Sequence, residues 1–392
     1  MRRPKGQSPA IGRAPDEAGR PSASRPGNPD RPDTNAIVAA LLRDLAAIQV
    51  TRQQSWGYNG AAAAVMALDR PLEALLRSDG SLEKIPAVGP SSTRIALEVL
   101  RTGGSATADK AVADSSRAQE IHRQRALRRH FLSRSRVLEV LASPRPGLVR
   151  PSDYLGDLQM HSVWSDGGAS IAEHADACAA RGYAYCAITD HASGLPIARG
   201  MSPEAMRRQH EEIAALNRRL EGRFRVLRSI EANIQPDGTL DLNRSELEEL
   251  DLVLAAPHSQ LRSLEDQTVR MLTVVATPGV HILGHPTGRK SGARAGIVAR
   301  WDEVFALAAR LGVAIEIDGD PWRQDIDFSL AKQAVEAGCV FALDSDAHST
   351  TELVYAETAI AHAMLAGVPA DRVINCWPVD RLLAWAAGAW KR

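Results

Sequence analysis

Seven side chains that can bind a hard or borderline divalent cation recur along the second half of the chain: His161, His191, Glu231, His258, His285, Asp346 and His348. Each falls at or near the end of one of seven short apolar runs. These are YLGDLQMH (154–161), YAYCAITDH (183–191), FRVLRSIEA (224–232), LDLVLAAPH (250–258), VHILGHP (280–286), GVAIEID (312–318) and CVFALDSDAH (339–348). The other histidines, His122, His130, His174, His210, His281 and His362, lie elsewhere, mostly on expected helices, whereas chance would scatter all eleven. Imidazole mixed with carboxylate suits Zn²⁺, Mn²⁺ or Fe²⁺. So many donors exceed the needs of one ion, so the set predicts two or three divalent metal ions sharing a carboxylate, with Glu231 as the shared group. Such a cluster lowers the pKa of a bridging water and holds both the attacking and the leaving oxygen of a phosphoryl displacement. Phosphoester hydrolysis is therefore the expected reaction, with His161, Glu231, Asp346 and His348 at its centre.

The elements that must position these groups follow from the texture between the runs. Amphipathic stretches such as IAEHADACAARG, PEAMRRQHEEIAALNRRLEG and VFALAARLG separate them, which is the pattern of repeated β-α units and predicts an α/β parallel barrel. In such a barrel the C-terminal strand ends converge on one face, where sites are built. A lone His161 or His285 would more often be a hydrogen-bonded structural residue, and the ordered set is what overrides that reading. Asp318, ending the sixth run, is expected to support a ligand or cap a helix. Cys186, inside a strand run, is expected to be packing.

Before about residue 150 no strand-like alternation occurs. Residues 1–34 are rich in Pro, Arg, Ser and Gly with almost no large apolar residue, and so predict a disordered tail. From Asn35 the sequence turns helical: Ile37, Leu41, Leu45 and Ile48 form one stripe behind Thr34 or Asn35 as N-cap. The formal net charge of zero hides a division. Residues 1–150 carry 24 Lys and Arg against 14 Asp and Glu, leaving 23 against 33 in the remainder. Much of the excess is one helical stretch with Arg117, Arg123, Arg125, Arg128, Arg129, Arg134 and Arg136. That helix either neutralises nucleic-acid phosphates or packs a solvated face on the acidic part. Cys178, Cys186, Cys339 and Cys376 form no CxxC pair, which excludes a disulfide framework or thiolate zinc site and fits a reducing cytoplasm. No run of about 18 apolar residues exists, so no membrane partner is expected.

The segments LQMHSVWSDG, AITDH, IEA, APHS, GHPTGR and DSDAHS resemble, in order, the motifs of the polymerase and histidinol phosphatase (PHP) family of metal phosphoesterases. The resemblance covers residues 155 to about 388 and is greatest to the PHP domain that ends bacterial family X DNA polymerases. It implies a distorted seven-stranded (β/α)7 barrel, with metal ligands at His161, Asp166, His191, Glu231, His258, His285, Asp346 and His348. One position departs: Gln159-Met160-His161 stands where the family carries an HxH pair. A Gln159 carbonyl oxygen is a poorer zinc ligand than imidazole, so the ion beside it should be held weakly or shift toward Mn²⁺. Arg289, in GHPTGRK, suits bidentate contact with a substrate phosphate.

SLEKIPAVGPSSTRIALEVLRTG (81–103) resembles a helix-hairpin-helix of the small N-terminal domain of family X polymerases. Backbone N–H groups at such a turn approach DNA without reading sequence. Gly89, Ser91 and Arg94, with Arg125, Arg128 and Arg129, are then the expected DNA contacts. Ala87 replaces the first hairpin glycine and Gly89 is kept. Ile95 stands where lyase-competent members carry a Schiff-base lysine, so lyase chemistry is not expected. Residues 104–153 are too few for a polymerase palm and hold no paired-aspartate strand, which excludes nucleotide polymerisation. The expected organisation is a tail (1–34), a helical DNA-binding domain (35–103), a basic helical linker (104–153) and a PHP domain (154–392). The implied activity is a DNA 3′-5′ exonuclease, 3′-phosphatase or abasic-site endonuclease in DNA repair. The alternatives are a small-molecule phosphatase of the histidinol-phosphatase type and an inactive DNA-binding or scaffold module.

Overall fold

All seven apolar runs contain strand in the computed structural model of the chain, which describes residues 31–292 and 294–391. The strands are β1 (Gly156–Asp157), β2 (Tyr185–Ile188), β3 (Arg225–Arg228), β4 (Glu231–Asn233), β5 (Leu254–Ala256), β6 (Ile282–Leu283), β7 (Ala314–Asp318) and β8 (Phe341–Asp344). They form two wholly parallel sheets, ordered β1-β2-β3 and β4-β5-β6-β7-β8. The third run yields two strands because the ladder breaks at Ser229 and Ile230. Two isolated parallel bridges, His191 to Glu231 and Met160 to Ala347, tie the smaller sheet to the two edges of the larger one. With fourteen α-helices among the described residues, the architecture is mixed α/β. Parallel strands need crossover connections and are covered on both faces, which is why the runs read as continuously apolar and not as alternating.

Alternation persists in three dimensions even where hydropathy hides it. On β7, Ile315 and Ile317 face the core under the surrounding helices, with Phe305, Val304 and Ile360. Ala314 faces the opposite way, into an inner core with Leu158, Tyr185, Leu254, Ile282 and Ala342. Side chains two apart share a face, so Glu316 and Asp318 follow Ala314 inward, and both are buried. Ile374, Trp377, Leu382 and Ala386 from the C-terminal segment join the inner core.

The region before the strands is helical: α1 (Thr34–Ala47), α2 (Arg52–Met66), α3 (Pro90–Thr102), α4 (Ala106–Ala113), α5 (Ala118–Leu127) and α6 (Arg134–Leu141). Val38, Leu42, Leu45, Ala61, Val65, Leu72, Ile95, Val99 and Ala108 form its own core, whereas Val137 and Val140 of α6 pack into the core outside the larger sheet. No helix among the described residues is long and apolar enough to cross a membrane.

Several expectations for this region change. The expected tail lies outside the described residues through Asp30, but Asp33 is ordered. It, and neither Thr34 nor Asn35, caps α1 by accepting from Ala36 N at 3.0 Å, and it also accepts from Ser133 N at 2.7 Å. Of the hairpin expected over 81–103, only the second helix is α-helical; ahead of it stand a 3₁₀ turn (Leu72–Leu75) and a bridge between Leu76 and Leu82. Arg125 and Arg128, expected to meet DNA, converge on buried Asp44 of α1: Arg125 Nε lies 2.6 Å from Oδ2, and Arg128 Nη2 bonds Oδ1. A carboxylate removed from water must be paired, and that demand turns the two guanidinium groups inward. Arg129 stays exposed, as do Gly89, Ser91 and Arg94.

Ala87 has φ +64°, left-handed backbone where a Cβ costs roughly 1 kcal/mol. Ala87→Gly is therefore expected to raise stability by about 0.5–1 kcal/mol in urea unfolding. A loss of stability would mean that the Ala87 methyl packs usefully.

Candidate metal centre

Glu231, first residue of β4, is fully buried, and four imidazoles face its carboxylate. Oε1 lies 2.8 Å from His285 Nε2 and 3.1 Å from His258 Nε2, while Oε2 lies 3.0 Å from His191 Nδ1 and 3.5 Å from His161 Nε2. These five residues follow or open different strands, so the register of the sheets brings them to one place. Asp346 Oδ1 adds a contact to His161 Nε2 at 3.0 Å. His161 is stacked between His191 and His348, with ring centroids 4.4 Å from each. Asp166 Oδ1 completes the rim, 3.5 Å from His191 Nε2 and from His348 Nε2 and 4.0 Å from His161 Nδ1. Asp166 and His348, about a third exposed, form its open side.

Contacts behind the rings fix their aim. His258 Nδ1 meets Asn233 Oδ1 at 2.6 Å, and Asn233 is in turn held by Asp241. His348 Nδ1 meets its neighbour's carbonyl, Asp346 O, at 2.8 Å. Behind His191, buried Asp190 accepts from Ser162 N (2.7 Å), Ser162 Oγ (2.6 Å) and Gln209 Nε2 (2.6 Å), pinning the loop after β1 to the next strand end. Such ties set tautomer and ring orientation in metal sites. Two residues hold left-handed backbone here, His285 at φ +22° and Asp346 at +52°. Non-glycine residues keep such backbone only where surroundings over-determine it, a common property of functional sites.

The donor set fits divalent cations. Two groups have all their ligand atoms within 4.8 Å of one another: His161, Asp166, His191 and His348, and His191, Glu231 and His258. His191 belongs to both, with Nε2 toward Asp166 and Nδ1 toward Glu231. Buried His161 Nδ1, His191 Nδ1, Glu231 Oε2, His258 Nε2 and Asp346 Oδ2 have no hydrogen-bond partner. Orphaned polar atoms are rare in protein interiors, and a cation would satisfy this collection. His285 and Asp346 stand outside both groups but touch Glu231 and His161.

The electrostatics follow from this crowding. Burial alone would raise Glu231, but the charges of His191 and His258 hold it well below the usual carboxylate range. Burial and the nearby guanidinium of Arg323 push His285 down to about 4. Burial also works against His348, yet its hydrogen bond to Asp166 and the charge of Asp346 take it up to about 10. Deeper in, burial and the charge of Asp344 push Asp157 up to about 8, and burial raises Glu316 well above normal.

One sequence expectation is corrected here, and one residue had been missed. Gln159 is buried beside Glu316. With its amide nitrogen turned toward Glu316 it donates to that carboxyl, 3.1 Å from Oε2, because a buried acid needs a donor. Arg289 is buried and faces away from the metal donors: it bonds Asp327 Oδ2 at 2.7 Å, Arg323 O at 2.9 Å and Gln324 O. Arg323, in the loop after β7, reaches the centre instead. Its Nε lies 3.3 Å from Asp346 Oδ2 and 3.7 Å from Asp318 Oδ2, and Nε and Nη1 have no hydrogen-bond partner. The sequence signal was its place in GDPWRQD, directly after the strand end at Asp318.

No family model matches the chain. Over 229 residues it is 38% identical to the DNA polymerase/3'-5' exonuclease PolX of Bacillus subtilis (strain 168), covering 58% of this chain and 40% of that protein. It is 27% identical over 231 residues to a probable phosphatase of Thermoanaerobacter sp. (strain X514), covering 56% of this chain and 89% of that protein. Among solved structures, histidinol phosphate phosphatase from Lactococcus lactis subsp. lactis Il1403, complexed with zinc, L-histidinol and phosphate, gives a TM-score of 0.38. Its identity is 17%, over 54% of this chain and 94% of that one. The chain thus matches less than half the length of its Bacillus relative.

A cation binds neutral imidazole, whereas His348 keeps its proton up to about 10 and His191 is raised by Glu231. Binding must expel protons, so Mn²⁺ affinity should rise with pH, by about tenfold per unit for each proton lost, between about pH 6 and 8. Competition against a chelating dye measures it; an affinity independent of pH would show that these histidines are not ligands.

Proposed function

We propose that this chain, a member of the PHP family of phosphoesterases, hydrolyses phosphoester bonds at DNA 3′ ends. It would use two or three divalent cations held at the mouth of a closed seven-stranded barrel. The observation that carries the reading is the convergence of His161, His191, Glu231, His258, His285 and Asp346 through contacts of 2.8–3.5 Å. The bridges His191–Glu231 and Met160–Ala347 support closure of the barrel, with β3 and β4 counted as one interrupted strand.

Cations bound there would activate a water and stabilise the leaving oxygen. Glu231 is the carboxylate placed to bridge, and His161, Asp166, His191, His258, His285, Asp346 and His348 complete the ligand set. Mn²⁺, Zn²⁺ and Fe²⁺ all suit those donors. Arg323 supplies a fixed positive charge for the phosphoryl oxygens. Burial works against that charge, but Asp346, Asp318 and Asp320 hold its pKa above the ordinary arginine value. The half-open side at Asp166 and His348 admits the ester.

DNA is favoured over a small phosphate by the helical region. Gly89 gives α3 no side-chain cap and Pro90 has no N–H, which leaves the N–H groups of Ser91 and Ser92 without an intrahelical acceptor beside exposed Arg94. A groove between Leu82 and Arg101 carries Lys84, Arg94 and Arg101 beside Glu83 and Glu98. Backbone and guanidinium donors of this kind grip a phosphate chain without reading bases. We read residues 35–103 as the DNA-holding part, 104–153 as its link and 154–392 as the phosphoesterase. Four free cysteines agree with a cytoplasmic setting.

With Mn²⁺, the purified chain should shorten a 3′-recessed oligonucleotide, and Asp346→Asn should abolish this. Faster turnover of histidinol phosphate would favour the small-molecule alternative, and no turnover with no bound metal would favour a binding module. Arg323→Ala should lower kcat by about 10²–10³ while bound metal is kept, as loss of an electrostatic clamp does. Arg94→Ala should weaken DNA binding evenly across sequences and lower the salt slope by about 1; an unchanged slope would place the contact elsewhere.

A further inference from the structure

Arg323 Nε pairs with Asp346 at 3.3 Å, Asp318 at 3.7 Å and Asp320 at 3.8 Å, but Nε and Nη1 make no hydrogen bond, so its aim depends on these charges and on the backbone that carries it. That backbone, Gly319–Asp327, is tied to the barrel by Asp318 N to Asp325 O (2.7 Å), Asp325 N to Asp318 O (3.1 Å) and Gly319 N to Asp344 O (2.8 Å). Thr287 Oγ1 to Asp325 Oδ1 (2.9 Å), Arg289 to Arg323 O, Gln324 O and Asp327, and His362 Nε2 to Gln324 Oε1 (2.7 Å) add to these, and the helical region supplies a further set. Gln324 Oε1 accepts from Leu132 N at 2.8 Å, and Gln324 Nε2 donates to Leu132 O at 3.0 Å. Trp322 lies under the guanidinium of Arg43, 3.9 Å from the ring centroid, and Arg43 Nη1 donates to Ser291 Oγ at 2.7 Å. Ser291 N closes the triangle on Trp322 O at 2.7 Å.

Arg43 is 9% exposed, and burial with the charge of Arg128 brings it down to about 10. Among the described residues no carboxylate lies at ion-pair distance from it; its charge meets an indole face and a hydroxyl, with Asp320 acting from farther off. Burying a charge with so few partners costs stability. Beside it lies a cavity of about 330 Å³ lined by Arg43, Met66, Trp322, Gln324 and Tyr355.

We propose that Arg43 and Trp322, with Gln324, are positioning residues: α1 holds the loop after β7 from behind and thereby aims Arg323 at the phosphoryl group. This inference rests on the reading of Arg323 given under Proposed function. The helical region then completes the hydrolytic site besides presenting DNA to it, and a substrate with no DNA attached should sense its loss.

The test compares full-length wild type, Arg43→Ala, Trp322→Ala and Trp322→Phe, all loaded with Mn²⁺. It measures p-nitrophenyl phosphate turnover, inorganic phosphate affinity, bound manganese and Tm. Both alanine variants should lose about tenfold to hundredfold in kcat with KM changed far less. Their phosphate affinity should fall, bound manganese should match wild type, and Trp322→Phe should recover part of the loss. If wild type binds phosphate but turns over no ester, the proposed function falls while phosphate affinity still reads the positioning. Wild type that binds no phosphate, equal phosphate affinity in all four proteins, or losses that track metal content or Tm would overturn the inference.

Discussion

A carboxylate with four imidazoles around it, all withdrawn from water, is the constraint on which the rest of this molecule depends. Glu231 cannot be buried as an isolated anion, since the cost of removing a charge from water runs to several kcal/mol. Its oxygens find His191, His258 and His285 within 3.1 Å. Those rings stay in place because the strand ends that carry them are knit by the parallel ladder and by Asn233 and Asp190 behind them. The same crowding leaves nitrogen and oxygen atoms without hydrogen bonds, the condition under which divalent cations repay the desolvation of their ligands.

Acid at this centre and acid below it are shifted in opposite directions. Asp157 and Glu316 are raised by burial. Glu231, Asp166 and Asp346 lie below the usual carboxylate range because neighbouring histidines, and Arg323 at Asp346, outweigh their burial.

The clustered side chains other than Asp166 were legible in the sequence because each falls at or near the end of an apolar run, and the order of the runs is the order of the strands. His161, His191, Glu231, His258 and His285 needed only the assumption of a parallel α/β fold. The arginines were not legible. Arg289 and Arg323 both sit in Gly-containing loops after strand ends, and only the fold shows that Arg289 turns to Asp327 while Arg323 turns to Asp346. Arg125 and Arg128 resemble a phosphate-binding face by spacing, yet a single buried Asp44 captures both. Side-chain direction at such positions is set by partners far away in sequence, which local pattern does not encode. The break between β3 and β4 was likewise hidden, since FRVLRSIEA reads as one run.

The helical region meets the α/β region through polar groups at Gln324, Arg289 and Arg43. The most direct test of the central claim is anomalous diffraction from crystals of the protein grown with Mn²⁺. The account predicts manganese peaks bound to Glu231, with at least two ions sharing its carboxylate and with His161, His191, His258 and His285 among their ligands. Crystals in which Glu231 keeps its four imidazole contacts and no manganese scatters within bonding distance of it would contradict the account.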